Sequence, residues 1–362
     1  MKIVIAPSAG KRNPYQSLLV SSLERSGVEV RLPRGFFLPW PQMFKHGLPH
    51  VIHLQWHHIY FRSKWLPEAI LRTGLFLGQW LILRLLGVRF VWTIHNLVNH
   101  ERYQVGWELF ACRLLARAVD SIIVHCQTVS SIVTTTYRVS PEKIRVVPHG
   151  HYVDWYPPPL SRNEARSKLG LANDHRIFLF IGQVRHYKGL DRLLIDFAAL
   201  SAGDVRLILA GEPRPASLAH QLAAQAAADP RIITEFEFID DDRLVAYLCA
   251  CDLVVLPYRD SLTSGAAVLA ASYGRPVLIP CLGCMEEFPA EAAILYKPDQ
   301  ADGLRQALEQ ALSAPLAEMG RAAKTYIEQF PWSLTVAGTL EVYRSVLPKQ
   351  GASILPPIKS RN

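Results

Sequence analysis

Short apolar runs alternate with amphipathic stretches along most of the chain, and this alternation predicts strands joined by helices. In the first half, residues 2–7, 28–32, 51–54, 90–94 and 121–125 have strand length and composition, with a helical pattern over 14–26 and before several later strands. A second series follows at 177–181, 206–210, 232–236, 253–256 and 277–279, separated by helical stretches such as 190–200, 216–228 and 242–250. Strands linked by helical crossovers imply parallel, doubly wound sheets. Residues 152–160, with three consecutive prolines from Pro157, punctuate the two series as a linker. Residues 332–347 read as a closing helix, and the proline-containing stretch beyond it as a disordered tail.

The length of 362 residues exceeds what one hydrophobic core usually serves. The expected division is therefore 1–157 and 158–331 as two Rossmann-like domains, 332–347 as a helix returning to the first, and 348–362 as the tail. Hydrophobic residues make up 50% and charged residues 19%, which excludes a disordered chain. The six cysteines form no even disulfide framework, and Met1-Lys2 runs directly into a strand, so the expectation is a reducing, cytoplasmic setting. Cys281 and Cys284 have ligand spacing but no second Cys or His pair nearby, which argues against zinc.

The net charge of +8 admits nucleic acid, an anionic membrane or phosphorylated ligands. Nothing resembles a basic run interleaved with aromatics, a helix-turn-helix or a finger, so nucleic acid is excluded as a partner. Residues 65–92 are strongly apolar but interrupted by Arg72, Gln79 and Arg84, which rules out a membrane span. Two readings stay open for this segment. It lies at an interface with Arg62, Lys64, Arg72 and Arg84 on anionic headgroups, or it is a buried helix with snorkelling arginines.

The chemistry concentrates at strand ends. The apolar run 177–181 leads into Gly182-Gln183-Val184-Arg185-His186-Tyr187-Lys188-Gly189-Leu190, a glycine turn bearing two cations three positions apart ahead of a helix. That combination suits a diphosphate, although solvated loop charges would look the same in isolation. Further along, Thr263-Ser264-Gly265 opens a small-residue helix, offering hydroxyls and free N–H groups to an anion or serving as a plain N-cap. After strand 90–94 come His95, Asn96, His100 and Glu101, where the strand's end would meet a cleft between two doubly wound domains.

With Ile144-Arg145-Val146-Val147-Pro148-His149-Gly150, Leu209-Ala210-Gly211, Ala250 to Tyr258 and Ser264 to Val277 in this order, the chain resembles the GT-B glycosyltransferases. The resemblance covers nearly the whole chain and is closest to the bacterial group sharing the "glycosyltransferase group 1" C-terminal domain. It implies an α/β GT-B fold, two Rossmann-like domains facing a cleft, with the C-terminal helix crossing back. It further implies a nucleotide-sugar donor held at its diphosphate and sugar by Arg185, Lys188, Thr263, Ser264 and Gly265, with Phe238 and Ile239 near the nucleobase. Gly10 would let the backbone approach the sugar or phosphate, and His149, at the hinge, would reach phosphate. The common family pattern has two glutamates where this chain carries Leu262 and Ala270, so Glu286 and Glu287 are candidate replacements. A Thr-Ser-Gly subgroup includes exopolysaccharide transferases similar to inverting β-mannosyltransferases.

Glycosyl transfer needs a stabilised leaving diphosphate, a deprotonated acceptor hydroxyl and an exposed anomeric carbon. Cations and helix N-termini meet the first need without a metal, and Asp240-Asp241-Asp242 precedes a helix where carboxylates act as caps. No metal or cofactor is expected. For an inverting reaction Glu101 is the expected base, raised towards neutral by partial desolvation, with His95 and His100 alongside it and His57, His58 and His125 as further lining groups. The acceptor is expected to be a saccharide or a polyprenyl-linked saccharide, GDP-mannose or a UDP-sugar the donor, and the setting cytoplasmic or peripheral on an anionic membrane face. A nucleotide-sugar epimerase and a non-catalytic nucleotide-sugar-binding subunit are the competing readings.

Overall fold

The computed structural model describes residues 1–10, 14–33, 47–153 and 155–348. Lys11 and the stretch from 349 onward lie outside the described residues, and with them most of the expected tail. Two six-stranded parallel sheets form the framework. The first contains β1 (Lys2–Ala6), β2 (Glu29–Arg31), β3 (Val51–Leu54), β4 (Arg89–Thr93), β5 (Ser121–Val124) and β6 (Ile144–Val146), in the order β2-β1-β3-β4-β5-β6. The second contains β7 (Arg176–Ile181), β8 (Val205–Ala210), β9 (Ile232–Glu235), β10 (Leu253–Val255), β11 (Val277–Pro280) and β12 (Ala293–Tyr296), in the order β12-β11-β10-β7-β8-β9. Both orders reverse direction once, the first beside β1 and β3 and the second beside β7 and β10. In doubly wound sheets the crevice beyond the strand ends at such a reversal is where ligands bind. Two edge strands, β6 and β12, were not expected; they are only three and four residues long.

Side-chain alternation assigns the two faces of the first sheet. Val4, Ala6, Ile52 and Leu54 point to one core and Ile3, Ile5, Val51 and Val91 to the other, as the two-residue strand period requires. The second of these cores is closed by the helices Pro14–Arg25 and Trp332–Val346. The closing helix contributes Val336, Leu340, Val342 and Tyr343, each worth roughly 1.5–3 kcal/mol of apolar burial. Its Tyr343 hydroxyl lies 2.7 Å from His53 Nδ1, while His53 Nε2 lies 2.6 Å from Thr93 Oγ1. The end of the chain thus becomes part of the first domain's core.

The cysteine expectation needs correction. Cys126, following β5, and Cys284, following β11, are joined by a disulfide with 5.5 Å between Cα atoms. Their separation of 158 residues hides the pairing from any reading of local spacing. Leu262 of the second half also packs into the first half's core beside this bridge.

Candidate active site

The strand ends of both sheets enclose a cavity of about 870 Å³, the size of typical ligand pockets. From the second half its wall takes Gly182, Lys188, Gly211, Phe238, Ile239, Thr263, Ser264 and Gly265. From the first half it takes Tyr15, Trp56, His95, Asn96, His100 and His149.

On the second-half wall, the turn after β7 is fixed by backbone crowding. Gly189 has φ +71°, and a Cβ there would run into the Pro257 carbonyl; Gly211, at φ +146°, would meet the carbonyl of Gly182 in the same way. No other residue fits either position without moving the chain. The turn leaves the Lys188 ammonium 3.6 Å from the centre of the Tyr258 ring and 5.1 Å from that of Tyr187, with no carboxylate bonded to it among the described residues. Burial, helped by repulsion from Arg185, pushes this amine down to about 7. Opposite it, the helix Gly265–Ser272 begins at Ser264, whose hydroxyl accepts from the Ala267 N–H at 3.2 Å. Ser264 is therefore an N-cap, and the first-turn N–H groups lie at the cavity wall.

Two expected donor contacts lie elsewhere. Arg185 does not face the cavity: it donates to Glu101 Oε1 across the domain boundary at 2.8 Å and to Gln183 Oε1 at 2.7 Å. Gly10 is exposed with φ +77° and does not line the cavity, where Pro14 and Tyr15 take that place. Glu286 is exposed, and Glu287 accepts from the Thr128 N–H at 2.6 Å, capping the first-half helix Gln127–Tyr137. Neither glutamate lines the cavity, so the expected replacement carboxylate is not supplied there. Ala270 is fully buried and Leu262 nearly so; the neighbouring residues that do face the cavity are Ser261 and Leu269. Among the described residues the carboxylates in its wall are Glu212, Asp240 and Asp241, of which Asp240 caps the helix Asp241–Ala250.

The first-half wall is a box of rings. His95 stacks on Trp56 with centroids 4.6 Å apart and planes 9° apart, and it meets Tyr15 edge-on at 5.0 Å. Burial and the neighbouring His125 and His149 hold it well below the usual histidine value, and its Nε2 has no hydrogen-bond partner among the described residues. It is a neutral imidazole with a free ring nitrogen. His100 stacks on Tyr187 of the opposite wall at 4.1 Å, and burial pushes it down to about 4. His149, bonded through Nδ1 to the Gly150 carbonyl at 2.8 Å, is pushed by burial down to about 3.

Glu101 sits at the rim, one oxygen on Arg185 and the other on Arg62, both at 2.8 Å. Burial pushes its carboxyl up, but Arg62, its own N–H and Arg185 together outweigh that and lower it. The expected upward shift is thus reversed, because two guanidiniums converge on the same carboxylate. The loop carrying Glu101 is braced from below by Glu108, which accepts from the Asn99 N–H at 3.0 Å and from His58 Nδ1 at 2.9 Å. His57, His58 and Glu108 bring donor atoms within 4.8 Å of one another, a spacing that would suit a cation. Glu108 is already engaged with Asn99 and His58, however, and His57 Nε2 lies 3.2 Å from Cys112 Sγ. The cluster acts as a hydrogen-bonded brace. His125 is buried behind His95, bonded to the Val147 carbonyl.

Tyr15, Trp56, Tyr152, Trp155 and Arg214 belong to the wall and were not singled out from the sequence. Tyr187 lies inside the glycine turn after residues 177–181, and Glu212 directly follows Leu209-Ala210-Gly211; neither has an expected role.

Residues 3–155 match the model described as "Glycosyltransferase Family 4", and residues 175–314 match "Glycosyl transferases group 1". The chain belongs to the GT-B glycosyltransferases. The transferase is 27% identical over 348 residues to the GDP-mannose:glycolipid 4-beta-D-mannosyltransferase of Xanthomonas campestris pv. campestris, covering 95% of this chain and 91% of that protein. Its fold is similar to sucrose-phosphate synthase from Thermosynechococcus elongatus, with a TM-score of 0.74 at 19% identity over 95% and 98% of the two chains. It is also similar to the Anabaena protein HepE in complex with UDP-glucose, with a TM-score of 0.72 at 18% identity over 95% and 100%. The transferase is a nucleotide-sugar-dependent enzyme by this membership. Among its described residues no helix is long and apolar enough to cross a membrane.

Proposed function

We propose that the transferase moves mannose from GDP-mannose onto the saccharide head of a glycolipid, in exopolysaccharide or glycolipid assembly, with inversion and without a metal. The observation that carries this reading is Lys188, a cation without a carboxylate partner among the described residues, set in the same cavity wall as the helix start at Thr263 to Gly265. A diphosphate bridging the two would receive one ammonium and several N–H groups without further reorganisation. Phe238, half exposed at the cavity edge, and Ile239 offer a surface for the base. The preference for GDP-mannose and a glycolipid follows the Xanthomonas relative, whose similarity runs through both halves of the chain.

Glu101 is the proposed base. In the free protein Arg185 and Arg62 hold it as a poor one. A donor diphosphate draws Arg185 away, since phosphate offers the guanidinium more charge than a single carboxylate. Glu101 then gains basicity as the donor seats. His95, neutral and with Nε2 unpartnered, is placed to accept from or donate to a sugar hydroxyl. Inversion is favoured because the base would stand at the rim on the first-half side, across from the donor site.

Melting curves with GDP, UDP, ADP, dTDP and CMP test the donor. A nucleotide that binds the folded state at about 100 times its Kd adds roughly 2.7 kcal/mol of stability. GDP is expected to give the largest shift. Release of GDP from GDP-mannose on a mannolipid acceptor, unaffected by EDTA, and a β-linked product by NMR are the companion expectations. A UDP-only shift would replace the donor, and an α-linked product would remove Glu101 as an inverting base.

A further inference from the structure

A second cavity, of about 830 Å³, has Glu101 in its wall, which the main cleft does not. Arg62, Lys64, Arg72, Trp65, Tyr103 and Glu101 are in its wall. Its position makes Glu101 a boundary post. One carboxylate oxygen meets Arg62 of this cavity and the other meets Arg185, from the turn after β7.

The charges in this cavity differ in how firmly they are held. Arg62 is paired with Glu101 and Arg72 with Glu68, which also accepts from the Ser63 hydroxyl at 2.6 Å. Lys64 has no carboxylate partner among the described residues; its ammonium lies 5.7 Å from the Tyr103 ring centre. Three cations therefore face two carboxylates, each carboxylate already on an arginine. Beside the cavity begins the helix Leu66–Leu85, whose buried residues are only Ala69, Thr73, Phe76 and Leu83. Its outer face is apolar and open: Leu71 is 62% exposed and Leu85 78%, with Leu66, Ile70, Leu75, Leu81 and Ile82 also exposed, and Trp65 at its head is 74% exposed. A soluble monomer rarely shows so continuous an apolar strip. Of the two readings open for 65–92, the interfacial one fits this face, with Arg84 held by Asp120 and not free for headgroups.

We infer that this cavity holds the phosphate of a lipid-linked saccharide acceptor, with Lys64, Arg62 and Arg72 as its ligands and the lipid lying along the exposed face of Leu66–Leu85. The inference rests on the glycolipid-acceptor reading above and names the part of the acceptor that this site takes. The phosphate is drawn first by Lys64. It then competes with Glu101 for Arg62, as the donor diphosphate competes for Arg185. Glu101 loses both guanidiniums only when both substrates are seated, so the base is assembled by the ternary complex and hydrolysis of the donor alone is suppressed.

The test is flotation of the full chain with phosphatidylcholine vesicles containing phosphatidic acid, a phosphomonoester, or an equal charge of phosphatidylserine, a phosphodiester, with inorganic pyrophosphate as soluble competitor. Phosphatidic acid is expected to be preferred roughly tenfold, and pyrophosphate to release the protein. The double variant Lys64→Ala/Arg72→Ala should lose the preference while keeping its nucleotide-induced melting shift, which also reports that it is folded. Leu71→Asp should lose binding to both vesicle types. Equal binding to the two lipids, no release by pyrophosphate, or an unchanged preference in the double variant would each overturn the inference. Failure of the nucleotide shift in the wild type with the lipid preference intact would instead remove the donor reading and leave this site standing.

Discussion

The two walls of the cleft are built in different ways. The second-half wall is made of consecutive residues: a glycine turn that carries Lys188 and a helix start at Ser264, each a few residues long and each at the end of a strand. The first-half wall is assembled from Tyr15 at the start of a helix and Trp56, His95, His100 and His149 from strand ends and loops, and it is closed at the rim by a salt bridge reaching Arg185 of the other half. Rigid backbone presents the first kind of site, and ring packing the second. A diphosphate needs N–H groups and a cation at fixed positions, whereas an acceptor needs a shaped surface and one base.

The largest effect expected from breaking this division lies on the ring-lined side. Glu101→Gln removes the proposed base while keeping its shape, and general-base loss typically costs about 10²- to 10⁴-fold. The kcat is expected to fall in that range with the nucleotide-induced melting shift retained. A wild-type kcat in the variant would mean that the first-half wall only binds, and the base would have to be sought elsewhere.

Lys188→Ala probes the other wall and should act on donor binding. Charge-assisted hydrogen bonds are worth about 1.5–3 kcal/mol, so donor affinity is expected to weaken roughly 10- to 100-fold. Titration calorimetry with the nucleoside diphosphate reads it. The acceptor KM should stay unchanged. An equal rise in both constants would show that the two walls are not separable.

How much of this was legible in the sequence follows the same division. Lys188, Gly189 and Thr263 to Gly265 could be read because their chemistry is contiguous and the strand-turn-helix context was visible in apolar runs. The doubly wound sheets followed from the same runs. Arg185 had the right motif but the wrong partner, since the ion pair that holds it comes from Glu101, 84 positions earlier. Glu101, expected as the base, lies at the rim with its carboxyl lowered where a raised one was expected, because Arg62 and Arg185 meet it only through tertiary folding. Tyr15 and Trp56 lie far apart in the sequence from His95, and only the sheet order brings them beside it. Glu287 and the Cys126–Cys284 bridge depend on how the halves meet, which no local pattern records.

A pH series sharpens the donor side further. Burial and Arg185 depress Lys188 to about 7 in the free protein, and a bound diphosphate would raise it again. Below that value the amine is already charged, so donor affinity should be flat. Above it, binding must take up a proton, and affinity should fall by up to about tenfold for each further pH unit. Calorimetry at pH 8 in buffers of different ionisation enthalpy should show uptake of close to one proton. Lys188→Arg should flatten the profile, because a guanidinium stays charged throughout.

The smallest effect concerns how the ring-lined wall is held. His53 is buried, pushed down to about 3 by burial, and bonded to Tyr343 and Thr93, so the first domain's core depends on a helix from the far end of the chain. Tyr343→Phe keeps the ring and leaves one histidine nitrogen without its partner, at a cost of about 1–3 kcal/mol. Thermal melting should fall by a few degrees. Donor affinity should not move, because Lys188 and Ser264 stand on the other sheet, while any kinetic loss should show in the acceptor KM. A change in donor binding would mean that the returning helix couples the two walls, and the division between backbone-built and ring-built sites would have to give way to a single cooperative cleft.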